Sequence, residues 1–195
     1  MTDFWLPHLA FALLAFLIFT RLTRNTTQRG ILLAGCLLLS LVPVQDISLA
    51  LQLRTYIGDL SVASLVLLGW ATLGRFGATP VSVHDRLASL ALFAGLSVLL
   101  YPAALGLSYA DPYQLGFEPR PMLLVLGLLC VVLIVQHSWL GALALVLATL
   151  AFALRLGSSE NYWDYLIDPY LALYSLGALL LAGGRWLLIR TRNLA

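Results

Sequence analysis

Residues 87–105 read LASLALFAGLSVLLYPAAL, with no Asp, Glu, Lys, Arg or His among them. At about 1.5 Å of helical rise per residue, this run is nearly as long as the ~30 Å hydrocarbon core of a bilayer is thick. Polar clusters bracket it: Ser82, His84, Asp85 and Arg86 before, and the segment from Ser108 to Arg120 after. A transmembrane barrel strand would alternate in polarity over ~10 residues, whereas this run is continuously apolar. It therefore reads as a membrane-spanning helix, which satisfies its own backbone hydrogen bonds where no water can.

The same pattern recurs on both sides. Towards the N-terminus, apolar runs extend from about Phe4 to Thr20, from Ile31 to Val44 and from Gly58 to Leu73. Towards the C-terminus they extend from Pro121 to Val135, Trp139 to Leu154 and Pro169 to Ile189. The expected fold is an all-α, polytopic transmembrane helix bundle of about seven spans. Residues 1–195 are expected to form a single integral membrane domain, because seven runs of this length would use most of them. Composition agrees. The chain is 61% hydrophobic and 10% charged, with a mean hydropathy of +0.94, whereas a soluble domain carries about 25% charged residues. The first run follows Asp3 and precedes its arginines, unlike a cleaved leader, and reads as a retained span. Residues 121–154 form either two full spans or a re-entrant hairpin around Gln136-His137-Ser138, with the same chain ends in both cases.

Charge sets the orientation. All 11 basic residues are arginine, so Schiff-base and P-loop lysine chemistry are excluded. Arg21, Arg24, Arg29, Arg75, Arg86, Arg185, Arg190 and Arg192 fall at alternate loops on one face, and Arg54, Arg120 and Arg155 on the other. The positive-inside rule places the arginine-rich face in the cytoplasm, with the N-terminus outside and the C-terminus inside. The acids, which that rule does not use, segregate oppositely: eight of nine fall on the outer face and only Asp85 on the inner one. The expected location is a bacterial inner membrane.

Capping accounts for several outer acids. Asp168-Pro169 opens the last run as an N-cap followed by a proline whose missing N–H is not needed. Asp59 and Asp3 are expected at or before the first turns of their helices, where the dipole favours an anion, and Asp111-Pro112 repeats the step. The remaining acids are the candidate site. In the segment Ser158 to Tyr165, a helix would align Glu160, Asp164 and Asp168 at i, i+4 and i+8 beside Trp163. Three like charges on one face repel, so Arg120 or Arg155 is expected to offset them. With Asp111 and Glu118 nearby, this acidic, aromatic face suits a partner protein, a sugar, a cationic group or an oxygen-ligated cation. It equally suits an interfacial belt of Trp and Tyr.

Asp46 is a further candidate. Pro43-Val44-Gln45-Asp46 marks a break after the second run, and the favoured reading lays Ile47 to Tyr56 flat on the outer surface. The alternative continues the helix to Leu53 and buries Asp46. Cys36 and Cys130 read as packing residues. His8, His84 and His137 lie on two faces, so no metal site is expected, and no cofactor. Asn25-Thr26-Thr27 matches a glycosylation sequon but lies on the arginine-rich face. Ala91 with Gly95, Ala144 with Ala148, and Ala178 with Ala182 are spaced to seat helices closely.

No GxSxG, HExxH or P-loop motif occurs, and no basic aromatic surface for nucleic acid. Apart from Asp46 in its buried reading, span centres carry none of the ionisable groups that pumps and ion-coupled carriers use. The function expected from these residues is a non-catalytic subunit or scaffold of a cell-envelope system. It would meet the bilayer and a membrane or periplasmic protein partner, docked through the outer face. The rival is a small membrane enzyme or binding protein for a lipid-linked or sugar substrate, using the outer carboxylates.

Overall fold

The structure, a computed structural model, describes residues 5–78, 80–107 and 109–192. Its helices are α1 (Trp5–Phe19), α2 (Thr26–Ser40), α3 (Leu49–Ile57), α4 (Val62–Arg75), α5 (Val83–Ala104), α6 (Pro119–Val135), α7 (Trp139–Ala153), α8 (Trp163–Leu166) and α9 (Pro169–Arg192). A two-stranded hairpin, β1 (Pro43–Val44) with β2 (Ile47–Ser48), precedes α3, and a 3-10 turn spans Pro112–Gly116. The fold is all-α apart from that hairpin. Three helices are long and apolar enough to cross a membrane: α1 with its 3-10 extension to Leu22, α5, and α9 as far as Thr191. α4, α6 and α7 are shorter apolar helices. Asp3 lies outside the described residues.

Local chemistry fixes the helix ends. Asn25, Ser48, Ser61 and Ser82 each accept a hydrogen bond from a backbone N–H in the first turn of α2, α3, α4 and α5. At α2 the Gln28 side chain also reaches back to accept from Arg24 N–H at 2.8 Å, a variant of the reciprocal capping box. That box starts α2 five residues before the apolar run at Ile31. Asn25 is a cap, and Asn-x-x-Gln was its signal.

α6 and α7 end alike. His137 (φ 56°) and Arg155 (φ 51°) adopt the left-handed conformation. The N–H of Ser138 then reaches Leu133 O at 2.8 Å, and that of Leu156 reaches Ala151 O at 3.0 Å. These bonds close each helix in a Schellman turn. α6 and α7 are thus two separate helices joined by the short turn through His137.

α7 lies at the centre. Gly141, Ala144, Leu145, Ala148 and Ala151 are buried along one face, and the helix packs on α4, α5 and α6. Small residues at this spacing let neighbouring backbones approach. Ala144 and Ala148 are fully buried as a pair, whereas Ala91 and Gly95 are exposed. α9 rests on α5, and only 11% of its most apolar window is buried. Large apolar side chains such as Leu173, Leu180, Leu187, Leu124 and Leu128 are exposed on α9 and α6. That surface is compatible with a lipid environment and contrary to what a soluble monomer exposes.

Candidate functional site

The N-terminal ends of α1 and α4, the C-terminal end of α5, α3 and the segment before α9 meet at one end of the bundle. Two loops build that end, and they are fastened to one another. Trp163 is 2% exposed, and its indole N–H donates to Pro112 O at 2.8 Å. The Asn161 amide donates to Tyr113 O at 2.9 Å, and its oxygen accepts from Trp163 N–H at 2.9 Å. Tyr162 N–H reaches Gly116 O at 3.1 Å. Gly116 admits no side chain, because a Cβ there would overlap Asn161 Oδ1 and crowd the Trp163 ring. The Tyr165 hydroxyl accepts from Gly157 N–H and donates to Ser159 O, both at 3.1 Å. The aromatic residues of this segment therefore face inward and hold the loops together. Trp163, expected beside the acids of an outer aromatic face, is buried and pins the two loops together.

Asp168 ties two helices together. It is 4% exposed. Oδ1 accepts from the N–H groups of Tyr170 (3.0 Å) and Leu171 (2.9 Å), in the first turn of α9. Oδ2 accepts from Ser61 N–H at 2.9 Å, from Ser61 Oγ at 2.8 Å and from Ser64 Oγ, at the start of α4. One carboxylate thus faces the positive ends of two helix dipoles. Expected as a cap, it caps α9 and also reaches α4. Asp111 makes the matching local bond, accepting from Tyr113 N–H at 3.1 Å, so both Asp-Pro-Tyr steps are helix-start devices.

The other acids disperse. Glu160, Asp164 and Asp168 do not share a helix face, because only Trp163–Leu166 is helical there. Glu160 lies before that turn, exposed, and Asp168 beyond it, buried. The expected offset by Arg120 or Arg155 is also corrected. Both are exposed, Arg155 closes α7, and the ion pair among the described residues is Arg54 Nε with Asp59 Oδ1 at 2.6 Å. Ser158 Oγ joins that pair, donating to Asp59 Oδ2 at 3.2 Å. Asp59 precedes α4 rather than sitting in its first turn, which Ser61 caps instead. Glu118 is exposed, just before α6. Asp46 sits at the exposed tip of the β1–β2 turn with φ 69°, so the chain breaks after α2 and the acid is not buried. Among the described residues, no three His, Cys, Asp or Glu side chains converge to hold a metal ion.

Between these parts lies a cavity of about 420 Å³. Its apolar walls come from α1 (Leu6, Pro7, Ala10, Phe11), α3 (Ala50, Leu53, Ile57) and α5 (Leu100, Ala104). Its polar lining comprises Arg54, Asp59, Tyr101, Tyr113, Ser158, Ser159, Asp164 and Asp168. Asp164 accepts from the Tyr113 hydroxyl at 3.1 Å and from Ser159 Oγ. Burial and the Asp164 charge push the Tyr113 hydroxyl up to about 12, so it stays protonated and donates to Asp164.

No known protein family, no curated protein and no solved structure matches this chain.

The cavity was not legible in the residue pattern, since α3 and Arg54 lay outside every candidate set. The opposite end holds a second device the sequence reading missed. Asp85, 8% exposed, accepts from Ser138 Oγ at 3.0 Å and from Leu140 N–H at 3.1 Å, capping α7 from α5. Its isolation as the one acid on the arginine-rich face was the available signal.

Proposed function

We propose that this chain is a seven-span protein of a bacterial inner membrane that binds an amphipathic ligand in the cavity at its outward end. The spans are α1, α2, α4, α5, α6, α7 and α9. The arginine asymmetry favours a cytoplasmic C-terminus, and the α3 end is then outside. The observation that carries the binding reading is the cavity itself. It has the size and mostly apolar lining of small-molecule sites, with a few convergent polar groups at one side. An alkyl chain fits against α1, α3 and α5, and a polar head fits between Arg54, Ser158, Tyr113 and Asp164.

A second reading keeps some support. Tyr56 is 86% exposed, and Tyr109 and Phe117 also stand outward near the same end. Aromatic residues so placed suit either docking of a membrane or periplasmic partner or the headgroup layer. Trp163, 2% exposed, is not part of that outward aromatic surface.

Photolabelling tests the binding reading. The protein is reconstituted in phosphatidylglycerol nanodiscs with a diazirine-bearing dodecanol. Label is expected to concentrate in α3 and the C-terminal turn of α5, and to fall there in Ala104→Phe, which fills the cavity. Label spread over the outward faces of α6 and α9, unchanged by Ala104→Phe, would refute it.

A further inference from the structure

We infer that the cavity selects amphiphiles bearing an ammonium group, with Asp164 as the counter-ion. This rests on the binding reading above and assigns the head group it left open. Three carboxylates and one cation line the cavity: Asp59, Asp164, Asp168 and Arg54. Two of the three are already matched. Asp59 is paired with Arg54 at 2.6 Å. Asp168 receives hydrogen bonds from the starts of α4 and α9, so the positive ends of two helices offset its charge.

Asp164 differs. Its hydrogen-bond partners among the described residues are the neutral hydroxyls of Tyr113 and Ser159, and it makes no ion pair among them. Those hydroxyls fix the orientation of the carboxylate and supply no positive charge. Unlike Asp168 it is exposed, so an arriving head group can reach it. Two aromatic residues, Tyr101 and Tyr113, share the lining. Ring faces attract an ammonium through their quadrupole and do nothing comparable for an anion. A fatty acid head would meet an excess of negative charge here, and a neutral alcohol would leave Asp164 unmatched. An ammonium on an alkyl chain meets both the charge and the rings, with its tail against Leu6, Phe11 and Leu100.

The test is competition against the diazirine dodecanol in the same phosphatidylglycerol nanodiscs, which contain no ammonium lipid. Dodecylamine is expected to displace the label about fivefold more effectively than dodecanol, as one partly exposed charge pair allows, and dodecanoate less effectively than either. Asp164→Asn keeps one acceptor oxygen for the Tyr113 and Ser159 hydroxyls and is expected to abolish the amine preference, read as the ratio of amine to alcohol competition within the variant. Asp111→Asn, an exposed acid outside the cavity, is expected to keep it. Single-chain phosphatidylethanolamine separates the sources. An Asp164-dependent preference for it points to a lipid head group, and a preference confined to dodecylamine points to a free amine. Equal competition by amine and alcohol, or a preference that survives Asp164→Asn, overturns this inference alone. Absence of cavity labelling overturns the binding reading and this inference with it.

Discussion

Removing the Asp168 carboxylate should loosen two helices at once. Asp168→Ala deletes the acceptor for Tyr170 and Leu171 N–H on α9, and for Ser61 N–H, Ser61 Oγ and Ser64 Oγ on α4. The two serine hydroxyls lie 3.2 Å apart and can still pair, and half-exposed Tyr170 can recruit water. The Ser61 and Leu171 amides, both buried, cannot easily do so. Losing a side-chain cap costs about 1 kcal/mol, and a stranded buried donor about 1–3 kcal/mol. Together, one lost cap and two stranded donors should cost roughly 3–7 kcal/mol. At about 2–4 °C per kcal/mol for a chain of this size, the unfolding midpoint should drop by roughly 10 °C. Asn at 168 keeps one carbonyl oxygen and serves one helix, so it should fall between wild type and Ala. The assay is thermal unfolding in nanodiscs, followed by circular dichroism and tryptophan fluorescence. If Asp168→Ala melts within about 1 °C of wild type, the carboxylate is not a shared cap and the reasoning fails.

Three further outcomes follow from the same structure. Gly116→Ala should unfasten the 111–117 and 157–168 loops and speed proteolysis there, whereas Gly127→Ala, which meets nothing within 4 Å, should leave the digestion pattern unchanged; equal patterns would count against the clamp. Arg155→Gly relieves a non-glycine residue from the left-handed conformation and should raise stability by about 1 kcal/mol, read as a higher unfolding midpoint; a lower midpoint would mean that the guanidinium makes a contact that matters. Tyr113 holds its proton to about 12 when folded, against an ordinary value of 10. Its contribution is therefore full below pH 10 and lost as pH rises through 12, so wild type should lose stability more steeply than Tyr113→Phe over that window. Parallel curves would remove the Tyr113–Asp164 coupling.

Helices α3 and α8, which carry Arg54 and Asp164, are not continuous apolar runs. The helices α1, α2, α4, α5, α6, α7 and α9 were legible because each contains such a run, bounded by charge, turn residues or proline. Their ends were legible only where a cap was recognised: Asp168-Pro169 was read correctly, and Asn25-x-x-Gln28 was not. The candidate site was read less well. Spacing at i, i+4 and i+8 places carboxylates together only on a continuous helix, and the chain from Gly157 to Asp168 is held instead by Asn161, Trp163 and Tyr165. Tryptophan and tyrosine at a membrane boundary resemble an exposed belt in sequence, and only tertiary hydrogen bonds show that Trp163 and Tyr162 turn inward. Arg54, the partner of Asp59, lies five residues away but on the far side of the α3 terminus. The pairing needed the turn at Gly58 (φ 72°), which no periodicity displays.

Labelling of single cysteines in intact cells probes the bilayer arrangement on which the binding reading depends. With Cys36 and Cys130 replaced by alanine, Tyr109→Cys reports the α3 end and Arg24→Cys the arginine-rich end. A membrane-impermeant maleimide should modify residue 109 directly and residue 24 only after the membrane is permeabilised. Modification of residue 24 in intact cells, with residue 109 protected, would contradict the outward cavity and the orientation of every helix.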